Sequence, residues 1–311
     1  ADFTILGNEH GQLFMSSPLE TPECINGEVD AAGLGGATLH ASRSGIACLI
    51  ADDEEEACAL AADILGFLPD NNLSSPPVEL TADDPARLNP ELTTLVPDNP
   101  NRPYDMVKVI EEIVDDGIFM ELFNSYAENI IIGFARLDGK TIGVVANQPK
   151  VLAGCLDIDA SIKAARFIRT CDAFNIPLVT FEDVPGFLPG VVQEWGGIIR
   201  HGAKLLFAYA EATVPKMTLV TRKAYGGAYL AMSCKHLQSD YNIAWPTAEL
   251  AVMGAEGAVN IIHRREIAVA DDDKKEETRL QLVEEYKSKF GDPYVAARNG
   301  WLDDVIEPEE S

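Results

Sequence analysis

The chain has 311 residues, of which 47% are hydrophobic and 24% charged, so it can bury a substantial core and hold more than one folding unit. Its 50 acidic and 24 basic residues give a formal net charge of -26, which repels nucleic acids and anionic lipid surfaces at long range. The negative charge argues against nucleic-acid binding. No apolar run approaches the roughly 20 residues of a membrane-spanning helix, so we expect no membrane insertion.

The first residues carry neither a basic leader followed by an apolar segment nor an Arg-rich transit pattern, and they predict no export. The six cysteines show no CxxC pair or other compact metal spacing, which favours reduced, mostly buried thiols. These features together predict a cytoplasmic protein without a metal site.

Residues 52–67 are predicted to form a packing helix, because acidic residues fill its first turn and apolar residues recur at helical spacing from Leu60 to Phe67. Upstream, the glycines within residues 33–36 resemble part of a dinucleotide-binding loop. Thr38, however, stands where the third glycine belongs. The sequence therefore predicts no Rossmann-type site here.

A proline-rich segment at residues 69–103 holds eight of the eighteen prolines and shows no sustained helix or strand period. Such a composition is typical of an extended, semi-rigid linker. The prediction is a first segment at residues 1–68, a linker at residues 69–103 and a second domain at residues 104–311.

A β-hairpin is predicted early in the second domain. Residues 130–137 and 140–146 have strand-like composition, and Asp138 and Gly139 between them are the preferred pair for a two-residue turn.

Two similar units follow, each with a helix, an x-Pro step, a short buried strand and a glycine-rich turn. We expect helices at residues 157–174 and 195–212, strands at 177–181 and 217–220, and loops at 182–190 and 224–228. This repetition predicts stacked α/β units whose glycine turns collect at one edge. Residues 274–290 predict a charged surface or subunit-contact helix.

The sequence contains no GxxxxGK[ST] loop, HExxH or GxSxG, which argues against common ATPase and hydrolase mechanisms. What remains are VPGFLPG at residues 184–190 and AYGGAY at residues 224–229. Glycines let main-chain N–H groups approach a ligand oxygen, and a preorganised donor pair stabilises a developing oxyanion. The alternative is that these glycines serve only tight turns or close helix contacts.

Four long segments carry a specific resemblance: NQPKVLAGCLDIDASIKAARFIRTCDAFNIPLVTFEDVPGFLPG, QEWGGIIRHGAKLLFAYAEATVPK, TRKAYGGAYLAMSCKHL and AWPTAELAVMGAEGAVNII. The match continues through LGFLPDNN and LVPDNPNRPYDM in and around the linker. The chain resembles the carboxyltransferase subunits of biotin-dependent acyl-CoA carboxylases. This family includes the propionyl-CoA carboxylase beta subunit, methylmalonyl-CoA carboxyltransferase and the methylmalonyl-CoA decarboxylase alpha subunit.

The resemblance implies a crotonase-like (ClpP/crotonase) α/β fold, built as a superhelix of stacked ββα units. Residues 1–68 then correspond to a C-terminal remnant of the acyl-CoA-binding domain, and residues 104–311 to a nearly complete biotin-side domain. Family members carry further glycine loops upstream and a tail downstream, so the expectation is a chain truncated at both ends.

The resemblance also assigns site residues. Gly227 and Ala228 are expected to offer N–H groups to the ureido oxygen of biotin. Further expected contacts are Gly186, Phe187, Tyr225 and Gly226 for biotin, and Leu230 for the acyl group. For Phe187, a buried packing role is the alternative.

Carboxyl transfer between carrier-bound biotin and a short-chain acyl-CoA, of the propionyl-CoA or methylmalonyl-CoA type, is the activity that the resemblance implies. The implied partners are biotin carboxyl carrier protein, biotin carboxylase or decarboxylase subunits, and further copies of the chain in a hexameric ring.

Two other functions stay open. One is a biotin-independent crotonase-type hydratase or decarboxylase with Glu182 or Asp183 at the edge of its active site, and the other is a non-catalytic scaffold that binds the carrier. Arg200, His201 and Lys223 are further candidates for binding carboxylate or phosphate. Their alternatives are fold-supporting ion pairs for Arg200 and Lys223 and a core position for His201.

Overall fold

The computed structural model describes residues 2–16, 29–269 and 274–311. The strands are β1 (Ile5–Gly7), β2 (Leu49–Ala51), β3 (Met120–Leu122), β4 (Ile130–Leu137), β5 (Lys140–Asn147), β6 (Leu178–Val184), β7 (Lys216–Tyr225), β8 (Tyr241–Ala244), β9 (Glu249–Ala251) and β10 (Asp304–Val305). The α-helices are α1 (Ala31–Gly35), α2 (Ala37–Leu39), α3 (Glu54–Phe67), α4 (Leu92–Leu95), α5 (Met106–Ile113), α6 (Ile158–Ala173), α7 (Val191–Gly196), α8 (Ile198–Glu211), α9 (Gly226–Ala231), α10 (Ala255–Ile262), α11 (Arg264–Val269), α12 (Lys275–Tyr286) and α13 (Pro293–Arg298).

One mixed sheet organises the second domain. Its strand order is β10-β8-β7-β6-β5-β4-β3, and β9 pairs with the carboxyl end of β7. The pairs β3–β4 and β4–β5 are antiparallel, whereas the pairs from β5 through β6, β7 and β8 to β10 are parallel. This confirms the predicted α/β class, because helices connect the parallel strands.

The predicted hairpin is confirmed in β4 and β5, with Leu137 opposite Lys140 in the register. Asp138 and Gly139 adopt φ angles of 52° and 73°, the left-handed values that a two-residue hairpin turn requires. The carboxylate of Asp115 accepts both turn amides, at 3.0 and 2.7 Å. The local sequence and a distant acid thus fix the same turn.

The sheet is buried on both faces. Along β4, Ile130, Ile132 and Phe134 enter the core on one face, which α6 and α8 cover. Ile131 and Ala135 point to the opposite core, which contains buried residues of α5. Because side chains alternate across a strand and both faces are covered, this strand is apolar and buried from Ile130 to Ala135.

Two strands run further than the sequence indicated. We expected loops from residue 182 and from residue 224, but β6 continues to Val184 and β7 to Tyr225. The strand extensions contain Asp183, which has no exposed surface, and Arg222, which is 2% exposed. Asp183 was predicted to lie in a loop and Arg222 beyond the end of a strand, yet both stay in the sheet because they pair with each other.

The first segment packs on the second domain through α3. This helix confirms the helix predicted at residues 52–67, and Asp53 caps it by accepting the N–H of Glu56 at 2.8 Å. Its buried Phe67 stacks on Phe134 of β4 with ring centroids 5.6 Å apart. The strands β1 and β2 form a separate parallel pair.

The proline-rich segment is mostly irregular, as predicted, and it lies against the second domain. Asn175 donates to the carbonyls of Asn72 and Ser74 at 2.8 and 3.1 Å, and the N–H of Asn89 donates to Glu309 at 2.8 Å. The division of the chain at residues 68 and 103 remains a prediction.

A buried lysine organises the loop before β4. The ammonium of Lys163 in α6 donates to the carbonyls of Phe123, Tyr126 and Ile130 at 2.9, 2.7 and 2.8 Å, with Ala127 at 3.4 Å. In the same loop, the N–H of Phe123 donates to Cys48 of the first segment. Lys163 therefore holds the loop that receives the first segment.

The C-terminal charged helix is confirmed in α12, which continues as a π-turn over residues 287–291. The acidic run at residues 271–273 and Cys24 lie outside the described residues. The five cysteines within the described ranges are unpaired, and Cys48, Cys171 and Cys234 are buried, as expected. Among the residues that the structure describes, no helix has both the length and the apolar character to cross a membrane.

Candidate active site

Two cavities flank the point where β7 passes into α9. A polar cavity of about 520 Å³ is lined by Tyr225 together with residues of the linker, α10 and α12. An apolar cavity of about 480 Å³ is lined by Gly226 and Gly227, among others. The AYGGAY motif therefore lies between the two cavities.

The glycines of AYGGAY have different physical roles. Gly226 has φ +59°, and a Cβ there would lie 2.8 Å from the carbonyl oxygen of Val252. Both the backbone conformation and the close contact with Val252 therefore require a glycine at this position. A Cβ on Gly227 would meet no atom within 4 Å. The turn-only interpretation thus suits Gly226, whereas Gly227 leaves open space beside its main chain.

The first amides of α9 lack partners inside the helix, because an α-helix leaves its first N–H groups unpaired. The helix begins at Gly226, so Gly227 and Ala228 belong to this first turn, and no side chain caps it. Gly227 is exposed, while the side chain of Ala228 is 1% exposed. This end of the helix can donate main-chain hydrogen bonds to a ligand oxygen.

Aromatic and aliphatic groups form the apolar cavity around these glycines. The lining residues are Gly226, Gly227, Tyr229, Leu230, His236, Leu250, Ala251, Val252, Tyr286, Phe290 and Trp301. Three of the predicted site residues are therefore brought together, namely Gly226, Gly227 and Leu230. The arrangement suits a largely apolar ligand with an acceptor oxygen.

The VPGFLPG loop lies elsewhere. The carbonyl of Gly186 accepts the N–H of Leu156 at 3.1 Å, and the ring of Phe187 packs on α8, 2.9 Å from where a Cβ of Gly202 would stand. Neither Gly186 nor Phe187 lines the apolar or the polar cavity, although Pro185 lines the polar one. The position of Phe187 agrees with the packing alternative, and a biotin contact by either residue stays a prediction.

Tyr225 belongs to the polar cavity. Its phenol donates to Oε2 of Glu249, and Oε1 of Glu249 lies 2.9 Å from the ammonium of Lys287. Burial, followed by the adjacent Glu249 carboxylate, raises the pKa of Tyr225 well above its ordinary value. Tyr225 is therefore a neutral hydrogen-bond donor that links the end of β7 to the end of α12.

A buried ion pair joins the carboxyl ends of β6 and β7, and sequence reasoning missed it. Nε and Nη2 of Arg222 lie 3.0 and 2.9 Å from Oδ2 of Asp183. The ammonium of Lys223 lies 3.5 Å from Oδ1 of the same carboxylate, and the main-chain N–H of Lys223 donates to that Oδ1 at 3.2 Å. The available signal was the charged pair that follows each of the two buried strands, at residues 182–183 and 222–223.

The same ion pair holds the linker. Nη1 of Arg222 donates to the carbonyls of Pro97, Asn99 and Arg102 at 3.2, 2.9 and 2.9 Å, and its guanidinium lies 4.9 Å from the ring of Tyr104. Linker residues 100–103 form part of the polar cavity wall. Asp183 and Arg222 thus fix that wall relative to the sheet.

The acids that the biotin-independent alternative requires are not at a cavity edge. Glu182 and Asp183 have no exposed surface, and neither lines the polar or the apolar cavity. Both carboxylate oxygens of Glu182 lack a hydrogen-bond partner among the described residues, and burial raises its pKa well above the ordinary value. The expectation that these acids face a substrate is wrong, because one is sealed in the core and the other binds Arg222.

The remaining candidates have separate positions. His201 lies partly exposed on α8, at 3.4 and 3.0 Å from side-chain nitrogens of Arg200 and Lys204, so the core position given as its alternative is wrong. Desolvation, followed by these two cations, lowers the pKa of His201. Lys223 takes the ion-paired role given as its alternative, but it also lines the polar cavity.

Comparison with known proteins identifies the group to which the chain is related. The model of the carboxyl transferase domain family matches residues 1–311. Over 310 residues the chain is 52% identical to the propionyl-CoA carboxylase beta chain of Roseobacter denitrificans and 54% identical to the methylmalonyl-CoA decarboxylase subunit alpha of Propionigenium modestum. Each match covers 100% of this chain and 60% of the relative.

Among solved structures, the transcarboxylase 12S hexamer with methylmalonyl-coenzyme A and methylmalonic acid bound superposes with a TM-score of 0.94 at 49% identity. That match covers 100% of this chain and 59% of the other. The similarity confirms the predicted crotonase-like fold, and it agrees with the resemblance carried by the long sequence segments. The chain belongs to the carboxyl transferase domain family.

Proposed function

We propose that this chain supplies the biotin-side half of an active site that transfers a carboxyl group between carrier-bound biotin and a short-chain acyl-CoA. The chain spans about 60% of the length of the relatives named above. Those relatives are a propionyl-CoA carboxylase subunit and a methylmalonyl-CoA decarboxylase subunit, which supports a propionyl-CoA or methylmalonyl-CoA type of substrate.

The observation that carries the proposal is the opening of the first turn of α9 into the apolar cavity. Biotin combines an apolar bicyclic ring with one strongly accepting ureido oxygen. The cavity offers aromatic walls from Phe290 and Trp301, and Gly227 leaves room beside its main chain. The residues present therefore fit the group, and when bound, biotin supplies the activated carboxyl group.

Gly227 and Ala228 have the main chemical role in this proposal. Their N–H groups hold the ureido oxygen and stabilise negative charge that develops on it, a contribution of about 3 to 4 kcal/mol for an oxyanion donor. The aromatic walls exclude water, which strengthens these hydrogen bonds. Leu230, 40% exposed at the same cavity, faces the acyl side.

The acyl-CoA half of the site comes from another domain or subunit in this proposal, so assembly is part of the function. The partners are further copies of the chain in a ring, a biotin carboxyl carrier protein, and a biotin carboxylase or decarboxylase subunit in the cytoplasm. The solved transcarboxylase 12S relative is a hexamer, which supports the oligomeric part.

The test compares two substitutions at Gly227 in an intact carboxyltransferase assembly that contains this chain. Gly227→Pro removes the N–H, and proline is tolerated in the first turn of a helix. Gly227→Ala keeps the N–H and adds a Cβ where no atom lies within 4 Å. We expect acyl-CoA-dependent decarboxylation of free carboxybiotin to be about 100-fold slower in the proline variant than in the alanine variant.

Equal rates in the two variants contradict the role of this amide. Binding of the carrier protein without any carboxyl transfer in the wild-type assembly supports the scaffold alternative instead. Turnover of an acyl-CoA without biotin contradicts the proposed cofactor.

A further inference from the structure

The polar cavity carries a small excess of positive charge in a strongly acidic protein. Its lining cations are Arg102, Lys150, Arg222, Lys223 and Lys287, and its lining acids are Glu249 and Glu256. Asp105 and Asp183 pair with lining cations, so five positive charges face four negative ones. The formal charge of the whole chain is -26, so this cavity differs in sign from the average surface. The charges close to the cavity determine which ligand binds there, because salt screens the more distant charges of the chain.

One of these cations is held with hydrogen-bonding capacity to spare. The side chain of Lys223 is 8% exposed, and its ammonium has three N–H donors. One donor goes to the carbonyl of Pro100 at 3.1 Å, and Oδ1 of Asp183 lies at 3.5 Å. A third donor remains for a ligand at the cavity surface, in a partly desolvated position where charge interactions are strong.

The cavity is also preorganised and large. Pro100, Pro103, Pro149 and Pro185 contribute to its wall, and proline fixes φ, so little backbone freedom is lost when a ligand binds. Residues 254–257 at the start of α10 complete the wall, and no side chain caps that helix. A volume of about 520 Å³ falls within the range of small-molecule sites and exceeds that of a bare ion.

We infer that the polar cavity is a binding site for a phosphate-type oxyanion, either free or as part of a phosphate ester. Phosphate oxygens accept from several donors at once, which suits ammonium and guanidinium groups placed on different walls. A divalent cation suits the site poorly, because Glu249 already binds Tyr225 and Lys287, and the described residues contain no cluster of metal-binding side chains.

Isothermal titration calorimetry tests this inference with inorganic phosphate, pyrophosphate, CoA and dephospho-CoA as separate probes. Arg102→Gln and Lys150→Gln alter two exposed cavity residues, and each is expected to weaken binding about twofold to fivefold. Glu256→Gln removes a lining acid and is expected to strengthen binding by a similar factor. Lys108→Gln, an exposed change outside the cavity lining, is the charge-matched control and is expected to leave binding unchanged.

The probes separate the two sources of phosphate. Tighter binding of CoA than of dephospho-CoA, with the difference lost in Arg102→Gln, identifies a phosphate ester as the occupant. Binding of inorganic phosphate or pyrophosphate with no such difference identifies a free oxyanion. Absence of binding for all four probes, or equal affinities in the cavity variants and the control, overturns the inference. Because no turnover is measured, these results do not depend on the carboxyl transfer proposed above.

Discussion

Removing the guanidinium of Arg222 is the sharpest test of how the cavity wall is held. Arg222→Met breaks two contacts to the fully buried carboxylate of Asp183 and three to linker carbonyls. Removing one partner of a buried pair typically costs about 3–5 kcal/mol, because the other charge is left without compensation. Lys223 still lies 3.5 Å from Asp183, so we expect a loss near the lower end, about 3 kcal/mol.

Urea unfolding measures this loss, and hydrogen exchange of residues 97–104 shows whether the linker is released. The control is Arg169→Met, which breaks an ion pair with Glu211 whose side chains are 62% and 59% exposed. Exposed pairs contribute about 1 kcal/mol or less, so the control is expected to change little.

A double variant sharpens the interpretation. Adding Asp183→Leu to Arg222→Met removes the carboxylate but leaves the buried ammonium of Lys223 without its ion partner, so little of the lost stability is expected to return, and the linker carbonyls stay unpaired. If Arg222→Met and Arg169→Met destabilise the protein equally, or if exchange in the linker is unchanged, the proposed hold on the linker is refuted.

Three further predictions concern the core. Lys163→Met removes an ammonium that donates to four carbonyls and is expected to cost about 3 kcal/mol in urea unfolding, whereas the exposed Lys108→Met is expected to change little. Glu182 keeps its proton in the folded state above its ordinary pKa of 4.5, so the wild type loses stability as pH rises from there. The free energy of unfolding of Glu182→Gln, measured relative to wild type, is therefore expected to increase as the pH rises from 5 to 8. A difference that does not change with pH contradicts this. Phe67→Ala is expected to cost about 3–5 kcal/mol and Leu65→Ala, 68% exposed, under about 1 kcal/mol; equal losses contradict the docking of α3.

Elements with a complete local signal could be predicted from the sequence. The turn at Asp138 and Gly139 was predictable because the residue pair itself prefers the left-handed angles. The helix α6 was predicted to within one residue at each end, since Asp157 caps its start and apolar positions repeat along it. In both cases the determining residues are adjacent in the chain.

The carboxyl ends of β6 and β7 could not be predicted in the same way. Asp183 and Arg222 lie beyond the predicted strand ends because charged residues rarely occupy buried strands, and only their mutual contact, thirty-nine residues apart, makes burial acceptable. The linker carbonyls that complete the arrangement are more than a hundred residues from Arg222. No local pattern encodes such a three-way contact.

The candidate site was predictable in part. The resemblance identified Gly226, Gly227 and Leu230, which share the apolar cavity. It also grouped Gly186 and Phe187 with them, but those two residues lie outside that cavity. Glycine-rich composition alone does not distinguish a loop that opens to a cavity from one whose carbonyl pairs with a neighbouring segment.

The Lys163 ammonium acts as a cation that is permanently attached to the chain. Many loops that converge several carbonyls on one point depend on a metal ion, whose occupancy follows its concentration in solution. Here the positive charge is the Lys163 ammonium, a side chain of α6, which is in place once that helix has folded. The surface that receives the first segment is therefore independent of metal supply, and chelators are not expected to loosen it.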